Sequence, residues 1–330
     1  MSVLVTGGAG YIGSHMVWAL IDAGEDVVVV DRLSTGFEWA VAPDAKFIRI
    51  DIADTEQIKT IISSHDIETI IHFAGSVVVP DSVSDPLGYY QNNTINSFGL
   101  VRTAVECGVK HIVFSSTAAV YGTPATDAPV SESANLVPES PYGVSKLMTE
   151  LMLRDTAAAH DLTYAALRYF NVAGADPQGR TGQSTRGATH LIKVATEVAL
   201  GKRSHIDVYG TDYPTPDGTC IRDYIHVTDL VAAHLQALTY LRSGGNNLVA
   251  NCGYGHGYSV FDVLDALRRV HGADFDIRTA ERRPGDAVSI VADASKARQE
   301  LGWRPEHDNL DEIVKSALNW EAGLSRRNLI

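Results

Sequence analysis

The sequence predicts a doubly wound α/β fold, a parallel sheet of Rossmann type with helices on both faces, joined to a smaller C-terminal mixed α/β domain. Three observations carry that prediction. Short β-branched runs alternate with helical patterns, and each strand-helix-strand unit takes about thirty residues. The runs VVVV (27–30) and IVF (112–114) are apolar on both sides, as strands covered on two faces must be. A glycine-rich turn follows the first run and opens the first helix.

The elements follow in order. SVLVT (2–6) is a strand, MVWALIDAGE (16–25) has apolar residues at helical spacing, and DVVVVD (26–31) is the second strand. KFIRID (46–51) is the third, followed by a helix around TEQIKTIISSH (55–65) and the strand IETIIHFAG (67–75). A helix around NNTINSFGLVRTAVECG (92–108) precedes the strand KHIVFSS (110–116). Ser140 can cap a helix whose first position is Pro141, where a missing N–H does no harm, and TYAALRYFN (163–171) closes the half. After Asn171 the chain turns rich in Gly, Ser and Thr, which places a boundary there. Residues 1–172 are read as the nucleotide-binding domain and 173–330 as the substrate domain, with the helix near 228–242 expected to return to the first domain. SRRNLI (325–330) is read as a loose end.

Composition narrows the function. The 330 residues carry a formal net charge of −13 with no Lys/Arg block, which excludes nucleic acid as the expected partner. No apolar run reaches the length of a membrane span, and no charged leader precedes the first strand, so a cytoplasmic protein is expected. Cys107, Cys220 and Cys252 are far apart and the histidines lack helical metal spacing, so no metal is expected.

Gly7, Gly10 and Gly13 lie between a strand and a helix, where glycine lets backbone N–H groups and the helix N-terminus approach a pyrophosphate. Asp31 closes the second strand. A carboxylate there accepts from ribose hydroxyls and repels a 2′-phosphate, which favours NAD over NADP, although Arg32 stands beside it. Asp51 and Ile52, at the end of the third strand, are placed to meet the adenine. Tyr142 and Lys146 fall one turn apart on one helix face, so an ammonium can lie near a phenol oxygen.

Three stretches now stand together: TGGAGYIGSH (6–15), FSSTAAVYG (114–122) and SPYGVSK (140–146). The chain resembles the extended short-chain dehydrogenase/reductase family and, within it, the UDP-glucose 4-epimerases, with DYPTPDGTCIRDYIHV (212–227) the most specific stretch. The resemblance implies NAD as cofactor, a UDP-sugar as substrate and 4-epimerisation through a transient 4-keto sugar. It implies Tyr142 as the proton-transfer residue, Lys146 as its electrostatic partner and Thr117 as the hydroxyl that steadies the phenol. Cofactor contacts are implied for Tyr11, Ile12, Phe73, Ala74, Gly75, Asn93, Ser115 and Tyr169, besides the glycines and the two aspartates. Substrate contacts are implied for Thr117, Asn171, His190, Leu191, Tyr209, Arg222, Tyr224, Arg283, Asp286 and Ile290. A homodimer packed through helices near 91–106 and 142–158 is also implied.

A free phenol titrates near 10, so bringing it towards 7 takes about 3 units, roughly 4 kcal/mol. Positive charge, from Lys146 and the nicotinamide ring together, must therefore outweigh burial at Tyr142. Dehydratases and decarboxylases of this kind carry an acid just after the strand-end hydroxyl, whereas this chain has Thr117-Ala118-Ala119. An NAD-sensing regulator would have no need of Thr117, Tyr142 and Lys146 together. The chain departs from the family pattern at Val77, where bacterial relatives have lysine, at His190, often asparagine, and at Ile290, where close relatives have tyrosine. The sugar therefore stays open among UDP-glucose/galactose, UDP-xylose/arabinose and UDP-N-acetylhexosamines.

Overall fold

The computed structural model describes residues 2–283 and 286–327. Strand β1 (Ser2–Thr6), helix α1 (Tyr11–Asp22), β2 (Val27–Asp31), β3 (Lys46–Arg49), α2 (Thr55–Ser64) and β4 (Ile67–His72) come first. Two short helices, α3 (Val79–Ser84) and α4 (Pro86–Tyr89), and a π-helical segment, Tyr90–Ile95, lead into α5 (Asn96–Glu106). Then come β5 (His111–Ser115), α6 (Pro141–Ala159), β6 (Thr163–Tyr169), β7 (Asn171–Ala173), α7 (Leu191–Ala199), β8 (Ile206–Tyr209), β9 (Ile221–Arg222) and β10 (Tyr224–His226). The remainder is α8 (Val227–Arg242), β11 (Leu248–Cys252), β12 (Tyr258–Ser259), α9 (Val260–His271), β13 (Ile277–Ala280), β14 (Ser289–Ile290), α10 (Ser295–Glu300) and α11 (Leu310–Leu324).

Seven strands make one parallel sheet in the order β11-β6-β5-β4-β1-β2-β3. The winding reverses between β1 and β4, and such a switch point leaves a crevice beyond the carboxyl ends of the two strands. The alternation of β1 shows why the sheet needs helices on both sides. Val3 and Val5 pack with Met16, Val17 and Leu20 of α1 and Leu238 of α8. Leu4, facing the other way, packs with Ile58 and Ile62 of α2 and Leu100 of α5. Burying each such side chain contributes about 1.5–3 kcal/mol, enough for five-residue strands to hold their place. Three smaller sheets, β10-β7, β12-β9-β14 and β13-β8, take up the strands that follow β6 apart from β11.

Helix α6 starts as its sequence requires: Ser140 Oγ accepts from the Gly143 N–H at 3.2 Å, with Pro141 in the first turn. This anchors Tyr142 and Lys146 at the buried start of a 19-residue helix.

Two sequence readings need correction. The boundary at residue 172 leaves β11 with the second domain, yet β11 is the edge strand beside β6; α8 packs against α1, the return expected of that helix. LVANC (248–252) is a run of ordinary strand length, and nothing local in it says which strand it will pair with. The tail is not loose as far as Arg327, whose guanidinium donates to the carbonyls of Gly179 at 2.6 Å and Arg180 at 3.0 Å and lies 4.8 Å from the Trp320 ring centre. The last three residues of SRRNLI lie outside the described residues. Among the described residues no helix is long and apolar enough to cross a membrane, and no cluster of three or more metal-ligating side chains occurs.

Candidate active site

A cleft of about 310 Å³ opens at the switch point. Its floor is backbone against backbone. Gly7 sits at φ 72°, and a Cβ there would lie 2.6 Å from the Ala74 nitrogen. A Cβ on Gly13 would lie 2.2 Å from the Gly7 carbonyl oxygen. Helix α1 begins at Gly10 with no side-chain cap and no acidic residue in its first turn, so its leading N–H groups stay available to an anion. Gly7, Gly10, Tyr11, Ile12 and Gly13 all line the cleft.

At one end, Asp31 accepts from the N–H of Ala9 at 3.0 Å and of Leu33 at 2.8 Å, which aims its carboxylate along the cleft wall. Arg32, which lines the same cleft, pairs with Asp51 at 2.8 Å. Burial would raise the Asp51 carboxyl, but the Ala53 N–H and Arg32 hold it below its usual value. Ile52, Phe73, Ala74 and Gly75 also line the cleft. An uncapped glycine turn for a pyrophosphate, a carboxylate for a ribose and an arginine whose charge is paired with Asp51 fit NAD.

At the other end Thr117, Tyr142, Lys146, Ser115 and Tyr169 line the same cleft. Lys146 is buried; its ammonium donates to the Ser115 carbonyl at 3.0 Å and lies 4.9 Å from the Phe114 ring centre. Burial pulls it down to about 8, with Glu150 acting the other way. The Ser115 hydroxyl pairs with the Tyr169 phenol at 2.7 Å. For Tyr142 the expected balance is reversed: burial pushes the phenol well above its ordinary value, and the Thr117 hydroxyl only partly opposes it. No positive charge of the chain offsets that burial: the Lys146 ammonium is held by the Ser115 carbonyl, and the other positive charge the chemistry calls for belongs to the nicotinamide.

Asn93, expected to contact the cofactor, is not among the residues that line the cleft. It is 3% exposed, and its side chain is spent on the chain itself: Oδ1 accepts from the Ser76 N–H at 2.7 Å, and Nδ2 donates to the Ser76 carbonyl at 3.0 Å and Ser145 Oγ at 3.1 Å. It pins the loop after β4 to α6, while its neighbour Asn92 lines the cleft. Asn92, Ser34, Thr35 and Gln183 went unread in the sequence. The Asn92-Asn93 pair was a visible polar signal in a helical stretch, whereas loop residues 34, 35 and 183 carry no periodicity that could single them out.

The expected substrate residues fall in three places. Asn171 and His190 line the main cleft, and His190 is open to it yet ringed by protein, which lowers its imidazole. Leu191 and the buried Tyr224 line a smaller cavity that shares Asn171 and His190 with the cleft. On the β9 side, Arg222 reaches Asp286 at 3.5 Å, and the Arg283 guanidinium lies 3.7 Å from the Tyr209 ring centre. Ile290 pairs with Arg222 across β14 and β9 and packs in a cluster with Ala118 and the cleft-lining Phe170.

Comparison with known proteins follows the same lines. The family model described as the NAD dependent epimerase/dehydratase family matches residues 3–253. The UDP-glucose 4-epimerase of Azospirillum brasilense is 54% identical over 98% of this chain and 93% of its own length. A crystal structure of a UDP-glucose 4-epimerase superposes with a TM-score of 0.96 at 44% identity, covering 98% of both chains. That of Stenotrophomonas maltophila, with bound NAD and formylated UDP-arabinopyranose, gives 0.95 at 38% identity over 99% of both chains.

Proposed function

The chain belongs to the NAD-dependent epimerase/dehydratase family, and from that premise we propose that it interconverts UDP-glucose and UDP-galactose as a UDP-glucose 4-epimerase. One observation carries the reading most directly: a phenol, a buried ammonium and a hydroxyl converge in the cleft that holds the uncapped glycine turn.

Gly7, Gly10, Gly13 and the start of α1 hold the NAD pyrophosphate, and Asp31 its adenosine ribose. When bound, NAD supplies the acceptor and donor of the C4 hydride and a positive charge that offsets the burial of the phenol. Tyr142 Oη takes the proton of the sugar 4-hydroxyl and returns it to the 4-oxygen after the sugar has turned over. Thr117 donates to the same oxygen and keeps the phenol aimed. Lys146 stays fixed by the Ser115 carbonyl, a constant positive charge in the wall. Arg222, Arg283, Asp286, Tyr209 and Asn171 grip the uridine diphosphate, so binding energy sits on the nucleotide and the sugar is free to present either face.

Loss of water or carbon dioxide would need an acid beside the sugar. Among the described residues that line the cleft, the carboxylates are Asp31 and Asp51, both at the adenosine end. Ala118 and Ala119 stand where an acid would act. Ile290, shorter than the tyrosine of close relatives and without its hydroxyl, supports activity on larger N-acetylated UDP-sugars as well.

The protein acts as a homodimer. Ile95, Phe98, Met148 and Leu151 are exposed apolar side chains on the segment leading into α5, on α5 itself and on α6, and Thr94 touches Met148 across the two. Phe98→Asp should shift the mass in solution from dimer to monomer. The three free thiols fit a cytoplasmic setting.

The test of the function is to supply UDP-galactose, UDP-glucose, UDP-xylose and UDP-N-acetylglucosamine separately and identify products by NMR. Interconversion of the hexose pair without accumulation of free NADH supports it. Net oxidation, or no product from any UDP-sugar, refutes it.

A further inference from the structure

Glu150 lies one turn beyond Lys146 on α6 and is 5% exposed. Its carboxylate accepts from Arg168 Nε at 2.9 Å and Nη2 at 2.5 Å, and from the Ser116 hydroxyl. Arg168, on β6, is 4% exposed; it also donates to the Tyr121 phenol at 3.0 Å, which donates to Asn251 Oδ1 of β11 at 2.7 Å. Stability alone does not account for this pair, because well-packed apolar residues in place of a buried ion pair are often equally or more stabilising. Its position is more telling. Ser116 stands between the Ser115 carbonyl that receives the Lys146 ammonium and Thr117, the hydroxyl beside Tyr142.

We propose that Glu150, held by Arg168, is a positioning residue for the reaction: it ties α6 to the end of β5 at Ser116, keeps the Lys146 ammonium seated on the Ser115 carbonyl beside the strand end that carries Thr117, and supplies the negative charge that faces Lys146. The groups around that ammonium leave this task to Glu150. From β4, His72 is pushed down to about 3 by burial and by Lys146, so it is neutral. Strand β5 offers the Phe114 ring and the Ser115 carbonyl. In the chain without cofactor, burial raises both the Tyr142 and the Tyr169 phenols. Glu150 is the carboxylate that raises the lysine against burial.

The inference rests on the epimerase reading, and the two fail differently. If the parent protein epimerises no UDP-sugar, the function is refuted; if the parent is active, only the role of Glu150 is in question. The experiment is the pH profile of kcat for the holoenzyme and its Glu150→Gln variant. Glutamine keeps an acceptor for Ser116 but loses the charge, so the alkaline limb should move about 1 unit towards lower pH, with KM for the UDP-sugar unchanged. A uniform fall in kcat with the limb unmoved would assign Glu150 a merely structural part and overturn the proposal. Because Glu150→Gln strands a buried guanidinium, the double variant Glu150→Met/Arg168→Met is measured beside it. It should match the parent in thermal stability and still show the limb displaced towards lower pH, by less than in Glu150→Gln because the opposing guanidinium is gone as well; a parental profile in that variant would equally overturn the role.

Discussion

Gly13→Ala probes the cofactor cradle through a single methyl group. The new Cβ would sit 2.2 Å from the Gly7 carbonyl oxygen, 2.9 Å from the Gly7 carbonyl carbon and 2.9 Å from the Gly8 Cα. All three are backbone atoms and cannot swing aside as a side-chain tip could. The Gly7 carbonyl also accepts the Gly10 N–H at 3.1 Å, so any shift of the turn weakens that bond too. Overpacking of this kind costs about 1–3 kcal/mol. If the turn must regain its present shape to bind, NAD affinity falls by about 5- to 150-fold. Gly10→Ala is the control. Its Cβ meets the same oxygen at 3.2 Å, and Gly10 at φ −77°, ψ 177° is extended backbone that alanine adopts freely. Its stability without cofactor should therefore stay within about 0.5 kcal/mol of the parent. The assay is urea unfolding of cofactor-free protein, with calorimetric titration of NAD. A Gly13→Ala protein with parental midpoint and parental affinity would show that the close approach does not matter.

Lys146 supplies a prediction in pH. Its folded value of about 8 lies below the ordinary lysine value near 10.4, so over that window the unfolded chain binds more protons and the Lys146 contribution to stability rises with pH. Activity needs the ammonium and should fall over the same window. Unfolding midpoints of the parent and of Lys146→Met, followed from pH 7 upwards, should differ in slope in that sense, and equal slopes would count against a titrating Lys146. Ile290→Tyr should cut turnover of N-acetylated UDP-sugars about tenfold or more while sparing UDP-glucose, read as the ratio of kcat/KM values. A ratio that does not move would place sugar selection elsewhere. Asp31→Ser should raise NADP affinity relative to NAD, measured by titration of both; an unchanged ratio would remove Asp31 from cofactor choice.

Much of the fold could be read from local pattern. The double-sided apolar runs of β2 and β5 and the Ser140-Pro141 start of α6 state their structure within a few residues. Pairings between distant segments could not be read that way. β11 carries the fully buried Asn251, which makes sense only once Tyr121 and the Val130 carbonyl, more than a hundred residues away, are beside it. The two-residue strands β9, β12 and β14 are too short for any period to register. At the site, residue types were legible and their environments were not. Tyr142 and Lys146 share a helix face as spacing implied, but whether the ammonium faces the phenol or a carbonyl depends on where β5 ends. The Asn93 side chain is consumed by Ser76 and Ser145, neither of which a helical pattern could nominate. Glu150 and Arg168 look like two ordinary charges until the sheet brings them together.

The proton step at Tyr142 is the heart of the chemistry, and Tyr142→Phe removes one oxygen atom from a buried, otherwise apolar ring. Epimerisation of UDP-galactose by that variant, with its NAD content measured on the same sample, is the direct test. Turnover should fall by about 100- to 10,000-fold with NAD still bound. A variant that holds NAD and turns over within a few-fold of the parent would contradict the assignment of the proton to this phenol.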